Sequence, residues 1–346
     1  MKTWNVNASV EGLYNPGVRI VTSAPTRIDL AGGTLDIWPL YLFHPGAQTV
    51  NAAISLRARA VVEPRPDDAV LIRSLDTGAT VEARHCRDLR ERRELRLLSL
   101  LCYFFEAHGL TLTTSCESPA GAGIAGSSAL NVAVCAALAE WSRTHYEPDV
   151  LLHIAMNVEA QAIEVPTGVQ DYRPALYGGV AAVELDTAEI RRVPLHVDAA
   201  ELERRLVLCY TGEPRNSGTN NWEVMKKHLD GDRHVFECFE RIRDTAAAMR
   251  DALTRADWNG VGRALAEEWD NRKRLAPGVS TPAIDELVAR ATRAGALGTK
   301  VCGAGGGGCL VSFGPPDRRD AIRETLAEGG GRILDFHIEQ HGLTRG

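Results

Sequence analysis

Residues 118–131 read SPAGAGIAGSSALN, and their types suit one task, holding an anion at the mouth of a helix. Gly121, Gly123 and Gly126 let the backbone turn tightly and let a ligand approach the main chain. Ser127 and Ser128 place hydroxyls and unpaired N–H groups at the positive end of the apolar segment 129–140. That arrangement suits a phosphate above all. A strand-to-helix turn with an ordinary serine cap has the same composition, so the stretch alone leaves both readings open. Two other stretches look like site loops. Segment 164–180, EVPTGVQDYRPALYGGV, combines two prolines, three glycines and uncapped polar residues. Segment 24–40, APTRIDLAGGTLDIWPL, alternates Ile28 and Leu30 with Arg27 and Asp29 and runs into Gly32-Gly33. A charged strand face ending in glycines lines a site, or belongs to an edge strand with a solvated face.

Gly121, Gly123 and Gly126 also match G-x-G-x-x-G, but a dinucleotide site needs a second strand and an acidic residue about 20 positions on. Glu140 lies near that distance, yet the residues after it, WSRTHYEPD, do not read as a strand. Gly303, Gly305 and Gly308 match the same pattern by glycine density alone. G-x-x-x-x-G-K-[ST] is absent, which excludes a Walker loop.

The elements that must position these residues belong to a 346-residue chain, longer than one hydrophobic core usually spans, so two domains are expected. A hydrophobic content of 45% and a charged content of 24% are ordinary for a globular protein. The net charge of -6 argues against a nucleic-acid partner. The longest apolar run, residues 97–105, falls short of the roughly 20 residues that span a bilayer. The N-terminus has no apolar signal region. Eight cysteines without a C-x-x-C pair read as reduced, buried thiols of a cytoplasmic protein. His337 and His341 are four apart with no third ligand nearby, a chance spacing.

Periodicity predicts strands at 18–25, 50–62, 69–74 and 79–83, a helix at 95–108 closed by Gly109, and an extended run at 111–117. Helices follow at 129–140 and 148–162, with Glu159 near the end of the second, and then a strand at 180–185. The texture changes between 190 and 205, which places a boundary between domains 1–195 and 196–346. Beyond it come a strand at 205–210, a polar loop, and a long helical stretch 221–273 broken at Gly231-Asp232 and near Asp257. A helix at 281–293, a glycine-rich strand–loop–strand at 301–313, a helix at 317–328 and a strand at 332–338 complete the chain.

Three stretches taken together resemble the kinase superfamily named for galactokinase, homoserine kinase, mevalonate kinase and phosphomevalonate kinase (GHMP). They are residues 24–36 (APTRIDLAGGTLD), 119–129 (PAGAGIAGSSA) and 300–309 (KVCGAGGGGC), in the family's order and at its spacing. Residues 168–180 resemble the Q-D-Q…Y-G-G segment of its sugar kinases, and 267–287 resemble the matching region of bacterial heptose 7-phosphate kinases. Tyr172 stands where those kinases usually carry a second glutamine, and Val169 where they often carry lysine. The resemblance implies an α+β two-domain fold: an N-terminal ribosomal-protein-S5-like α/β domain and a C-terminal ferredoxin-like α+β domain. It also implies a cytoplasmic monomer or homodimer.

The implied activity is transfer of the ATP γ-phosphoryl to the anomeric hydroxyl of a sugar or sugar phosphate, with Mg2+. Glucuronokinases and fucose kinases share parts of the pattern, and a non-catalytic sugar and ATP sensor of the same fold is a further alternative. In that reading Pro119, Gly121, Gly123, Gly126, Ser127 and Ser128 cradle the triphosphate. Counting from Pro119 makes Ser127 the metal ligand and counting back from Ala129 makes it Ser128; Ser128 is preferred because the helix fixes geometry better than the loop. Glu159 is the second metal ligand, with Glu164 its competitor. Asp171 corresponds to the general base, and Arg27 to the arginine that keeps it ionised and stabilises the transferring group. Asp36, with Gly33 and Thr34, matches the sugar-contacting segment. Tyr177 lines the same pocket or sits in the core. Arg215 is placed to hold an acidic group on the substrate, or is a solvated loop arginine. The loop with Gly303, Gly305 and Gly306 packs against the phosphate loop and shapes the site.

Overall fold

The computed structural model describes residues 18–214 and 217–346, with backbone alone for 217–220. In chain order it runs β1 (Ile20–Ala31), β2 (Gln48–Pro64), β3 (Val70–Ser74), β4 (Thr80–Ala83), α1 (Arg96–Phe104), β5 (Leu110–Cys116), α2 (Gly126–Trp141), α3 (Pro148–Ile163) and α4 (Tyr172–Tyr177). It continues with β6 (Val180–Leu185), β7 (Ile190–Pro194), α5 (Ala199–Arg205), β8 (Leu206–Tyr210), α6 (Ser217–Leu229), α7 (Arg233–Thr254), α8 (Trp258–Arg272) and α9 (Pro282–Arg293). The last elements are β9 (Gly298–Val301), β10 (Cys309–Phe313), α10 (Arg319–Glu328), β11 (Arg332–Leu334) and β12 (Thr344–Arg345). Short 3₁₀ turns at Leu40–Phe43, Cys86–Leu89 and Pro316–Arg318 link them.

One sheet follows the order β12-β1-β2-β5-β3-β4, with β6 on β2 and β7 on β6; the other follows β11-β8-β10-β9. The long β2 pairs with β6 through residues 48–52 and with β5 through 58–64. The sheets change between β7 and β8, and the C-terminal residues return to the first sheet by placing β12 against β1. An apolar cluster joins Ile28, Leu30 and Val50 of the first sheet to Leu208, Leu265 and Phe313 of the second half, so the halves share a core.

Residues 24–31 of β1 are all buried, including Arg27 and Asp29. The solvated-face reading of this stretch is therefore wrong: β2 pairs along it, β12 reaches only Thr22 and Ser23, and α2 packs over it. Helix α2 lies in the interior, and its run of alanines lets it approach β1 and β2 closely. The breaks read at Gly231-Asp232 and Asp257 are helix caps. The Asp232 carboxylate accepts from the N–H groups of His234 and Val235, and Asp257 from that of Gly260. Thr281 caps α9, whose first residue is Pro282. Periodicity missed four elements, α4, β7, α5 and the two-residue β12. Helix α4 hides in a proline- and glycine-rich segment because Pro174 falls in its first turn, where a missing N–H costs nothing. Among the described residues no helix is long and apolar enough to cross a membrane.

Candidate active site

The glycine loop is a tight turn held from two sides. Gly121 and Gly123 take left-handed φ values of 69° and 77°. The Arg27 backbone N–H donates to Ile124 O at 3.0 Å, and the Cys309 N–H to Ala122 O at 2.7 Å. The helix that follows starts at Gly126, earlier than periodicity predicted, and this excludes the ordinary serine cap. Its cap residue is Ala125, also left-handed at φ 62°, and no side chain caps the first turn. Ser127 and Ser128 sit inside that turn and do not cap it. The positive end of α2 is left for a ligand.

Glu159 reaches the same place from α3. It is 6% exposed, and its Oε2 accepts from the hydroxyls of Tyr172 (2.7 Å) and Ser128 (3.1 Å) and from Asn131 Nδ2 (3.4 Å). Burial raises its pKa; the donors Tyr172, Ser127 and Asn131 work against that, while the charge of Asp171 adds to it. A cation beside this carboxylate would relieve the cost of its burial. One carboxylate with serine hydroxyls is a donor set suited to Mg2+, which keeps the rest of its shell for water and phosphate oxygens. Both serines touch Glu159, so either hydroxyl is within reach of that position.

Arg27 and Asp171 form the second half of the centre. Arg27 Nε and Nη2 both donate to Asp171 Oδ1, at 2.9 and 2.6 Å, and Nη1 donates to Gly123 O at 2.9 Å. One guanidinium thus ties the carboxylate to the glycine loop. Burial opposes the charge of Arg27, but Asp171 and then Asp29 outweigh it and its pKa is raised. Asp171 keeps 23% of its side chain exposed, whereas Arg27 keeps 1%.

Asp36 lies beside this pair, buried and outside the lining of the cavity that Asp171 opens onto. Its Oδ2 accepts the Gln170 N–H at 2.9 Å, and it presses so closely on Gly168 that a Cβ there would lie 2.0 Å from that oxygen. Burial, then the charge of Asp171, pushes its pKa up to about 6, against the hydrogen bond from Gln170. Ser118 to Gly123, Ser127, Ser128, Glu159, Gly168 and Asp171 all line one open cavity of about 510 Å³, walled on one side by Leu95, Leu97, Leu98, Leu130 and Ile163.

Two family models match this chain: the GHMP kinases N terminal domain over residues 92–179 and the GHMP kinases C terminal domain over 249–331. The chain belongs to the GHMP kinase family. The N-terminal match contains the glycine loop, Glu159 and Asp171. A GHMP relative, the D-glycero-alpha-D-manno-heptose 7-phosphate kinase of Campylobacter jejuni, is 28% identical over 334 residues, 94% of this chain and 98% of its own length. The L-fucokinase/L-fucose-1-P guanylyltransferase of Bacteroides fragilis is 26% identical over 92% of this chain and 38% of its own, longer chain. Two crystal structures share the fold. A D-glycero-D-manno-heptose 1-phosphate kinase from Bacteroides thetaiotaomicron has a TM-score of 0.76 at 24% identity, covering 94% of this chain and 98% of that one. Galactokinase from Lactococcus lactis complexed with galactose has a TM-score of 0.73 at 19% identity, covering 94% and 95%.

Against this GHMP kinase framework, most residues read from the sequence converge, and several do not. Pro119 and the loop glycines line the cavity. Glu164 does not: it follows the end of α3 in a left-handed conformation and is exposed. Tyr177 also lies outside the cavity lining, with Arg192 over its ring at 5.3 Å, so neither the pocket nor the core holds it. Thr34 is buried, and its hydroxyl accepts from Arg272 Nη1 at 3.2 Å. Gly33 leaves no room for a side chain, since a Cβ would lie 2.4 Å from Asp29 Oδ2. Arg215 lies outside the described residues.

The second glycine loop does pack on the first, and it does so at its far end, through Gly308. A Cβ on Gly308 (φ 84°) would lie 2.7 Å from Ala122 O. Gly305 and Gly306 instead approach Val279, and Gly303 O accepts from Arg272 Nη1 at 2.8 Å. Sequence reasoning also missed Tyr172 as a donor to Glu159; its standing in place of the family's glutamine was the available signal. It missed the buried charge cluster of Asp29, Glu268, Arg272 and Lys300 as well. In that cluster burial would raise the Asp29 pKa, but Lys300, Arg272 and Arg27 outweigh it and hold the carboxyl below its usual range.

Proposed function

We propose that this protein transfers the γ-phosphoryl group of ATP to the anomeric hydroxyl of a sugar or sugar phosphate. The observation that carries the reading is the shared cavity: the uncapped N-terminus of α2, the Glu159 carboxylate and the Arg27-bound Asp171 all open onto it. The triphosphate would lie along residues 121–128, with N–H groups and helix dipole meeting its charge. The leucine wall of the cavity would take the flat face of the base. Glu159 and a serine hydroxyl, Ser128 by preference, would hold Mg2+, which neutralises charge on the phosphates.

Asp171 Oδ1 is occupied by Arg27, and Asp171 is exposed enough for an acceptor hydroxyl to approach it. Asp171 would orient that hydroxyl and accept its proton, while Arg27 stabilises charge on the moving phosphoryl. Asp36 would accept hydrogen bonds from neighbouring sugar hydroxyls, which two carboxylate oxygens do well. The heptose 7-phosphate kinase relative favours a heptose phosphate as acceptor, and Arg215 is the candidate to hold its distal phosphate. The fucokinase relatives support a second reading, a fucose- or glucuronate-type sugar 1-kinase.

A coupled ADP-release screen over free hexoses, uronic acids and heptose 7-phosphate tests this. Turnover of at least one acceptor is expected, with near-complete loss in Asp171→Asn while ATP still binds. An Asp171→Asn protein with normal turnover would remove Asp171 from its role.

A further inference from the structure

We propose that Arg272 is a positioning residue: its guanidinium sets the turn that carries Asp36 and ties that turn to the phosphate loop. Arg272 ends α8, in the second half of the chain, and its side chain is 2% exposed. Nη1 alone bridges two loops, donating to Thr34 Oγ1 at 3.2 Å and to Gly303 O at 2.8 Å. Nε and Nη2 are held by Glu268 Oε1 at 3.3 and 2.9 Å, and Asp29 Oδ2 lies 3.5 Å from Nη2. The group is clamped on one edge by carboxylates and presents the other edge to the two loops.

The turn it meets is strained. Thr34 has φ 73°, a left-handed conformation that is an outlier for a β-branched residue. Such a residue persists only where its surroundings over-determine it. Here the surroundings are the Arg272 fork at its hydroxyl and the tight fit at Gly33, where a Cβ would lie 2.6 Å from Arg272 Nη2. Asp36 follows two residues later. On the other side, Gly303 adjoins Cys302, whose N–H donates to Cys309 O, and the Cys309 N–H donates to Ala122 O in the phosphate loop. A short chain of hydrogen bonds therefore runs from the Asp36 turn to the nucleotide cradle, with Arg272 as its branch point. Lysine, a single point charge without the planar fork, could not make the same four contacts.

The kinetic consequence rests on the sugar-kinase reading; the structural one does not. Thr34→Val keeps the shape and removes the hydroxyl, Thr34→Ser restores it, and Thr34→Ala guards against a clash. Each is compared with the full-length parent for acceptor KM, ATP KM, kcat, melting temperature and the titration of Asp36, followed by carbon-13 NMR of aspartate-labelled protein. Groups that face Asp36 are Asp171, Asp29, Arg27, Arg173, Arg272 and Tyr41, and the Thr34 variants alter none of them.

In Thr34→Val and Thr34→Ala we expect acceptor KM to rise about tenfold, the scale of one charge-assisted hydrogen bond, with ATP KM and melting temperature little changed. The Asp36 pKa should fall from about 6 toward the usual carboxylate range as the turn loosens. Thr34→Ser should stay near the parent. Arg272→Lys should reproduce the KM rise if it folds. An unchanged acceptor KM and an unchanged Asp36 titration in Thr34→Val would overturn the proposal. If the parent turns over no sugar at all, the functional reading fails, and the Asp36 titration still decides this one.

Discussion

Replacing Asp36 by asparagine tests the electrostatics of the site most directly. Asp36 is 1% exposed, and its pKa rises from 3.8 to about 6, through burial first and the charge of Asp171 second. A shift of about 2 pH units corresponds to about 3 kcal/mol of preference for the neutral form in the folded protein. Between about pH 4 and pH 6 the folded chain keeps a proton that the unfolded chain has released. Stability then falls as pH rises through that window, and the full cost stands above it. Asparagine has no charge to bury, and its Oδ1 can still accept the Gln170 N–H.

Asp36→Asn should therefore match the parent in stability near pH 4 and exceed it by up to about 3 kcal/mol at pH 8, on the order of 5 °C in melting temperature for a chain of this size. Titrating groups that do not interact with Asp36 cancel in the difference between the two proteins. Differential scanning fluorimetry in steps from pH 4 to pH 8, without ligands, measures it. The same variant should bind the sugar acceptor more weakly, because the amide offers one acceptor oxygen where the carboxylate offers two. A stability difference that is constant across the pH range, or a parent that is the more stable at pH 8, would refute the reasoning about burial.

Three more outcomes follow from the geometry. Glu159→Gln should raise the Mg2+ concentration needed for half-maximal activity by about tenfold or more without lowering the melting temperature; an unchanged Mg2+ requirement would exclude Glu159 as a ligand. Gly308→Ala combines a left-handed backbone, costing about 1–2 kcal/mol, with a collision on Ala122 O. It should lower the melting temperature and raise ATP KM, and normal values for both would show that the two glycine loops are not in contact in solution. Arg215→Ala should raise KM for an acidic acceptor and leave neutral sugars alone; an equal effect on both would discard an anion-binding role.

Local features were legible because local physics decides them. The caps Asp232, Asp257 and Thr281 act on N–H groups two or three residues away, so the helix breaks could be read directly. The glycine loop was legible for the same reason: glycine is the residue that takes positive φ without penalty. Even so, the serine-cap alternative stood until the start of α2 showed that Ala125, and not a serine, occupies the cap. Gly308 could not be told from its neighbours in a run of four glycines, because what distinguishes it is the carbonyl of Ala122 across the interface.

By itself, then, the amino-acid order determined where many of the turns and several of the helix caps fall, and which segments resemble those of a known kinase family. The tertiary structure decided which charges meet, apart from the Arg27–Asp171 pair, which the family resemblance had already implied. Arg27 and Asp171 are 144 positions apart, Asp36 and Gln170 are 134 apart, and Thr34 and Arg272 are 238 apart. Nothing in the spacing of such residues encodes their distance in space. The state of a carboxylate depends on that distance and on how much water the fold leaves around it, and both exist only once the two halves of the chain have closed on a common core.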